Sequence, residues 1–210
     1  MRVFWVFVIA GFFAGCGGVS GPATKYYKLD IPAAPSPVGP SATGSLRIEH
    51  FRTTSLLRQD RIVYRPAPEE VGFYEYHRWA EAPSDTVTKA LADQLTKRRV
   101  FQSVEVSDGG ENADYVLKGS VDRLQEVDYM GAVRVQVSIS TELEDPVRRQ
   151  IIWSSTASSE CVVAKSDVQA VVAAMGQASQ QSISRLLTDV EKFVQLNRIA
   201  AMSSGATVPR

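Results

Sequence analysis

An α+β domain, with a mixed or antiparallel sheet and two helices packed on one face, is the fold that this sequence predicts. Three observations predict it. Val133, Val135, Val137, Ile139, Thr141 and Leu143 alternate with Arg134, Gln136, Ser138, Ser140, Glu142 and Glu144, so one face of that strand meets a core. Two other stretches, one opening near Pro83 and one near Ser166, repeat apolar residues at helical spacing. The order is strands, helix, strands, helix, which suits a sheet with its helices on one side.

The elements follow in order. Tyr26, Tyr27, Lys28 and Leu29 form a short strand candidate. Residues 32–45 carry Pro32, Pro35, Pro37 and Pro40 and read as a loop, because proline lacks a ladder donor and fixes φ. Leu46, Ile48 and Phe51 recur near a period of two, and residues 61–65 and 72–79 are further strands rich in aromatic and β-branched residues. Pro66 and Pro68 separate that pair.

Ser84 is the expected cap of the first helix, with Asp85 at the positive end of its dipole. Val87, Ala90, Leu91 and Leu95 make its stripe, and Lys97, Arg98 and Arg99 close it. Residues 101–106 return as a strand, and Asp108-Gly109-Gly110 ends it. Residues 115–121 are another strand, after which residues 124–131 lose the period and predict a bulge or extended loop. Asp145-Pro146 turns the chain, and residues 150–163 run back.

Ser166 with Gln169 forms a capping box for a final helix of about 30 residues, or about 45 Å. Its stripe is Val168, Val171, Val172, Met175, Ser179, Leu186, Val190 and Phe193. Its small, polar middle, residues 177–182, predicts close packing or a slight bend. Residues 198–210 read as a disordered tail.

The chain has 210 residues, of which 44% are hydrophobic, enough for one core and one domain over residues 25–197. Its 23 basic and 23 acidic residues cancel, which argues against nucleic acid as a partner. Residues 1–15 have the build of a secretory signal: Arg2, then a short apolar run, then Ala14 and Gly15. That run is too short to span a membrane. The cysteine that follows, Cys16, stands where a lipobox places its acylated residue, so the mature chain is expected to start there with a diacylglycerol and an N-acyl chain. An ordinary signal cleaved near Ala14 or Gly15 is the alternative. Gly17, rather than Asp, after the cysteine favours the outer membrane under the usual sorting rule. Residues 16–24 then form a lipidated, glycine-rich tether.

Acylation of Cys16 leaves Cys161 alone, as a buried small apolar residue, an intermolecular bridge or a reactive thiol, of which the buried reading is favoured because no His stands nearby in sequence. No nucleophile elbow, zinc-protease helix, phosphate loop or dinucleotide fingerprint occurs. His50 and His77 are the only histidines, and neither has metal-ligand spacing. His77 with Glu75 reads as a solvated or interface pair rather than an acid–base site. Asp108 and Glu111 lack the spacing of a calcium loop and read as a polar turn. No catalytic residue, metal ligand or dissociable cofactor is expected.

Phe73, Tyr74, Tyr76, His77, Arg78 and Trp79 form an unusually aromatic segment, and aromatic residues with Arg are enriched at interface hot spots. Alternation puts Phe73, Glu75, His77 and Trp79 on one face and Tyr74, Tyr76 and Arg78 on the other. Trp79 is expected in the core, which leaves Tyr74, Tyr76 and Arg78 as the partner-binding candidates.

Several pieces occur in an order that resembles the ABC-type transport auxiliary lipoproteins, the family of the paraquat-inducible PqiC-like lipoproteins. They are Cys16, Tyr26-Tyr27-Lys28-Leu29, Arg61-Ile62-Val63-Tyr64-Arg65, Arg78-Trp79-Ala80-Glu81-Ala82-Pro83 and Val100-Phe101-Gln102-Ser103-Val104. The resemblance implies a non-enzymatic lipoprotein on the periplasmic face of the outer membrane. It also implies that the protein docks an MCE-domain (MlaD-like) component of an intermembrane lipid transport system, and that it forms a homo-oligomeric ring. A regulator of a cell-wall synthase or of an outer-membrane assembly factor, and a lipid-binding carrier, are the other readings of a small α+β lipoprotein.

Overall fold

The computed structural model describes residues 21–33, 44–109, 113–129, 131–165 and 167–203. Cys16, Ser166, Glu111 and most of the proline-rich stretch lie outside them.

The fold is the expected α+β domain, a nine-stranded mixed sheet with two helices. Its strands are β1 (Lys25–Tyr27), β2 (Ser45–Ile48), β3 (Arg52–Thr53), β4 (Arg61–Ala67), β5 (Glu70–Trp79), β6 (Ser103–Val106), β7 (Tyr115–Val127), β8 (Arg134–Asp145) and β9 (Gln150–Val162). The helices are α1 (Pro83–Arg98) and α2 (Val168–Ser203), with a 3₁₀ turn at Ser55–Arg58.

β7 organises the sheet. One flank pairs antiparallel with β8, which pairs with β9. The other flank is shared by β2, β3 and β4, which lie parallel to β7 one after another along its length. β6 extends β2, and β5 and β1 extend β4. β7 is longer than its periodicity suggests. A register shift between Val121 and Arg123 absorbs one residue, and the strand continues to Val127 with Leu124, Gln125, Glu126 and Val127 all buried. Burial on both faces erased the alternation there.

Val135, Val137, Ile139, Thr141 and Leu143 are buried, as their alternation requires. Across from them α2 buries Val171, Val172, Met175, Ile183, Leu186, Leu187 and Val190. The small middle of α2 is a site of close packing. Ser182 Oγ donates to Ser159 Oγ at 3.0 Å, and a Cβ on Gly176 would fall 2.0 Å from the Asp30 carbonyl oxygen. The segment after β1 thus crosses α2 at Gly176 while Leu29 plugs the core beside it.

Two helix starts differ from expectation. α1 begins at Pro83, whose missing N–H suits the first turn, with Ala82 as its N-cap and no side-chain cap bond. Ser84 is instead buried inside the first turn, where its carbonyl accepts from Thr88 Oγ1. Thr88 Oγ1 in turn accepts from the Phe51 N–H, tying the β2–β3 link to α1. At α2 the cap is Asp167, whose Oδ1 accepts from the Ala170 N–H at 2.8 Å. The helix also passes Asn197 and ends at Ser203.

Candidate docking site

β5 does not alternate as a plain strand would. Between the pairs Arg61–Arg78 and Val63–Phe73, β4 advances two residues and β5 advances five. Tyr74, Glu75, Tyr76 and His77 are thus opposed by Ile62 alone, in a wide bulge. The bulge brings Tyr74 and His77 to one side, with ring centroids 5.5 Å apart and edge to face. Strict alternation had set them on opposite faces.

Around them an aromatic cluster forms from three strands. The Tyr64 and Tyr74 rings lie 5.0 Å apart, and Tyr27 lies 5.5 Å from His77. The Tyr27 hydroxyl and His77 Nδ1 share a hydrogen bond of 2.8 Å. Gly72 makes room for the cluster, because a Cβ there would sit 2.3 Å from the Tyr64 ring. All four rings are half-buried. Asp167, at the start of α2, lies close enough that its charge adds to burial in raising the Tyr27 pKa.

Glu126 is the polar centre of this cluster. It is 5% exposed, and its Oε2 accepts the Tyr74 hydroxyl at 2.8 Å. Burial raises the Glu126 pKa, the Asp128 charge adds to that, and the Tyr74 hydrogen bond pulls the other way. Tyr74 is held well above its ordinary value, by burial first and then by its bond to Glu126.

The three expected partner-binding residues are not one patch. Tyr74 belongs to the cluster. Arg78 instead bonds both oxygens of Asp60, at 2.7 and 3.0 Å, and its strand neighbour Tyr26 is exposed. Tyr76 leans on Glu75, whose hydrogen bond and charge raise its pKa. Trp79 is in the core at 6% exposure. Tyr27 and Tyr64 were present in the sequence without a visible role, and Glu126 sat in a stretch that read as irregular. What would have flagged Glu126 is a carboxylate inside an otherwise apolar run, Leu124 to Val127.

The remaining candidates have structural surroundings. His50 holds Asp108 by its N–H at 2.8 Å and by Nδ1 at 3.0 Å, which lowers the Asp108 pKa. His77 faces Tyr27 rather than Glu75, which is exposed. Cys161 lies half-buried against the core, with Gln181 Nε2 3.6 Å from its sulfur. Among the described residues no group of three metal-ligating side chains converges. Among the same residues no helix is long and apolar enough to cross a membrane.

The fold is a mixed sheet with two helices and an aromatic cluster at one end, and comparison with known proteins gives its class. The ABC-type transport auxiliary lipoprotein component family matches residues 27–186. The chain belongs to that family of membrane-anchored transport auxiliaries. No curated protein matches it in sequence. Among solved structures, a Xanthomonas campestris protein of the DUF330 family is similar at 19% identity and a TM-score of 0.73, covering 83% of this chain and 99% of its own. An uncharacterised protein follows at 17% identity and a TM-score of 0.62, covering 80% of this chain and 99% of its own. At these identities the likeness is one of fold. PelC from Paraburkholderia phytofirmans, a dodecamer, reaches a TM-score of only 0.41 at 14% identity, covering 74% of this chain and 92% of its own, too loose to bear on assembly.

Proposed function

We propose that this protein is an outer-membrane lipoprotein, anchored through acylated Cys16, that docks the periplasmic MCE component of an intermembrane lipid transport system. The observation that carries the reading is the family match over residues 27–186, behind a lipobox-like Cys16. The aromatic cluster is its docking patch. Tyr64, Tyr74 and His77 are half-buried rings in tilted and edge-to-face contact with a buried carboxylate beneath, the kind of amphipathic surface that anchors interfaces. Arg78, held by Asp60, and Tyr76, beside Glu75, stand apart from that patch, and a homo-oligomeric ring is the assembly that presents such patches together.

A carrier function has less support. The cavity between α1, α2 and the sheet, lined by Leu46, Leu95, Phe101, Leu117, Trp153 and Leu186, holds about 10 Å³. That is space for one water at most, not for an acyl chain. Lipid passage on this reading belongs to the partner.

A tagged pull-down from solubilised envelope, with mass spectrometry, tests the proposal. The expected result is an MCE-domain protein with its ATPase and permease. Tyr74→Ala is expected to cut that recovery at least tenfold and Arg78→Ala less than threefold, since Arg78 is already satisfied by Asp60. Recovery of a cell-wall synthase or an assembly factor, without an MCE protein, refutes it.

A further inference from the structure

The opposite end of the molecule has a different chemistry. The aromatic cluster stands with Glu126 at the end of β7 that carries Val127. At the Tyr115 end lie the β8–β9 turn and the last turns of both helices. α2 descends along β9: Ser182 meets Ser159, Asp189 accepts from Ser155 Oγ at 3.1 Å, and Phe193 lies 6.4 Å from Trp153. That course carries Leu196 and Ile199 toward the turn at residues 146–149. Arg98 Nη1, 3.1 Å from Glu191, ties the end of α1 to α2 about two turns before Ile199.

Three aliphatic side chains project there. Val147 is 90% exposed, Leu196 68% and Ile199 64%. Lys97, Arg99, Arg149, Lys192 and Arg198 stand at the same end, all exposed and none in an ion pair among the described residues. The nearby carboxylates Asp145 and Glu191 are already taken by Arg148 and Arg98. Asp93 and Asp189 are the other exposed carboxylates near these cations, and a chain of net charge 0 thus gathers more cations than anions at the end that carries three apolar points.

We propose that this end is a membrane-contact surface for an anionic phospholipid bilayer. The charge fits, since Lys and Arg at headgroup level attract an anionic leaflet. So does the shape. The apolar points sit on the tips of a turn and a helix end, with the cations at the same end, which matches shallow interfacial insertion. A protein interface is built on aromatic and Arg anchors seated in pockets, which describes the other end of this molecule.

The tether allows it. Residues 16–24 span at most about 32 Å. Lys25 joins the sheet opposite His77, near the level of Ser138, and from Ser138 to Asp145 a strand covers about 23 Å. Contact through this end with the leaflet that holds the anchor turns the aromatic cluster toward the periplasm. This reach rests on the acylation of Cys16; the surface itself does not.

Vesicle co-sedimentation of the chain from Gly17 tests it. That chain keeps every buried core residue, Leu29 to Val190, and has neither leader nor acyl group. Binding at least tenfold stronger to phosphatidylcholine vesicles containing phosphatidylglycerol than to phosphatidylcholine alone is expected, weakening with salt. Arg149→Asn, and separately Val147→Asp, are expected to cut it at least fivefold with unchanged circular dichroism, and Tyr74→Ala to leave it alone. Asn tolerates the positive φ of Arg149. Equal binding to both vesicle types, or insensitivity to the turn variants, overturns the proposal. So does sedimentation without vesicles that the turn variants abolish, which makes the surface a contact between copies.

Discussion

Glu126 is the residue where burial and function meet most directly. Its folded-state pKa is raised by burial, so the folded protein holds its proton to higher pH than the unfolded chain does. Between the unfolded and folded pKa values the native state binds more protons, and stability therefore falls as pH rises through that window. Glu126→Gln removes the ionisation and keeps an oxygen for the Tyr74 hydroxyl. The variant is expected to melt at a higher temperature than the parent at neutral pH and to lose its advantage in mild acid. A lower melting temperature at neutral pH would show that the ionised carboxylate is stabilised by its surroundings. The neighbouring Tyr74→Phe is expected to cost about 1–3 kcal/mol in urea unfolding, because it leaves a buried acceptor without its donor. Both residues were visible in the sequence, but not their meeting, since they are 52 positions apart and joined only by sheet pairing.

At the scale of elements, the two helices and the long strands were legible because each repeats over many residues. The alternation of β8 and the stripe of α2 both survive in the burial pattern. What was not legible is where periodicity is broken by a partner. The bulge in β5 lies against the start of β4, where Ile62 alone opposes four residues, and the extension of β7 follows from burial on both faces. The helix caps moved for local reasons: Pro83 takes the first position of α1, which shifts its cap from Ser84 to Ala82, and Asp167 bonds the first turn of α2. Gly176 shows the same dependence. Glycine inside a helix ordinarily weakens it by about 0.5–1 kcal/mol relative to alanine. Here Gly176→Ala is expected to destabilise by about 1–3 kcal/mol, because its Cβ meets backbone rather than a flexible side chain. Equilibrium unfolding of the two proteins decides the sign, and a gain in stability would mean that the Asp30 segment moves aside freely.

For the whole molecule, the two ends of the sheet differ in chemistry. One end carries aromatic rings in contact over a buried acid, and the other carries aliphatic points and free cations. Cys16→Ser is expected to abolish palmitate labelling and to release the protein from the membrane fraction in mild salt, since the basic end alone is a weak, screened contact. Labelling that persists in the variant places the lipid elsewhere. The sequence by itself determined the fold class, the family and the presence of an aromatic segment, because periodicity and short motifs are local properties. Only the tertiary structure decided which aromatic residues meet, since the bulge that joins Tyr74 to His77 and the pairing that adds Tyr27, Tyr64 and Glu126 are long-range. The gathering of Val147, Leu196 and Ile199 at one end is likewise set by the antiparallel course of α2 along β9, a consequence of packing the core that neither segment encodes alone.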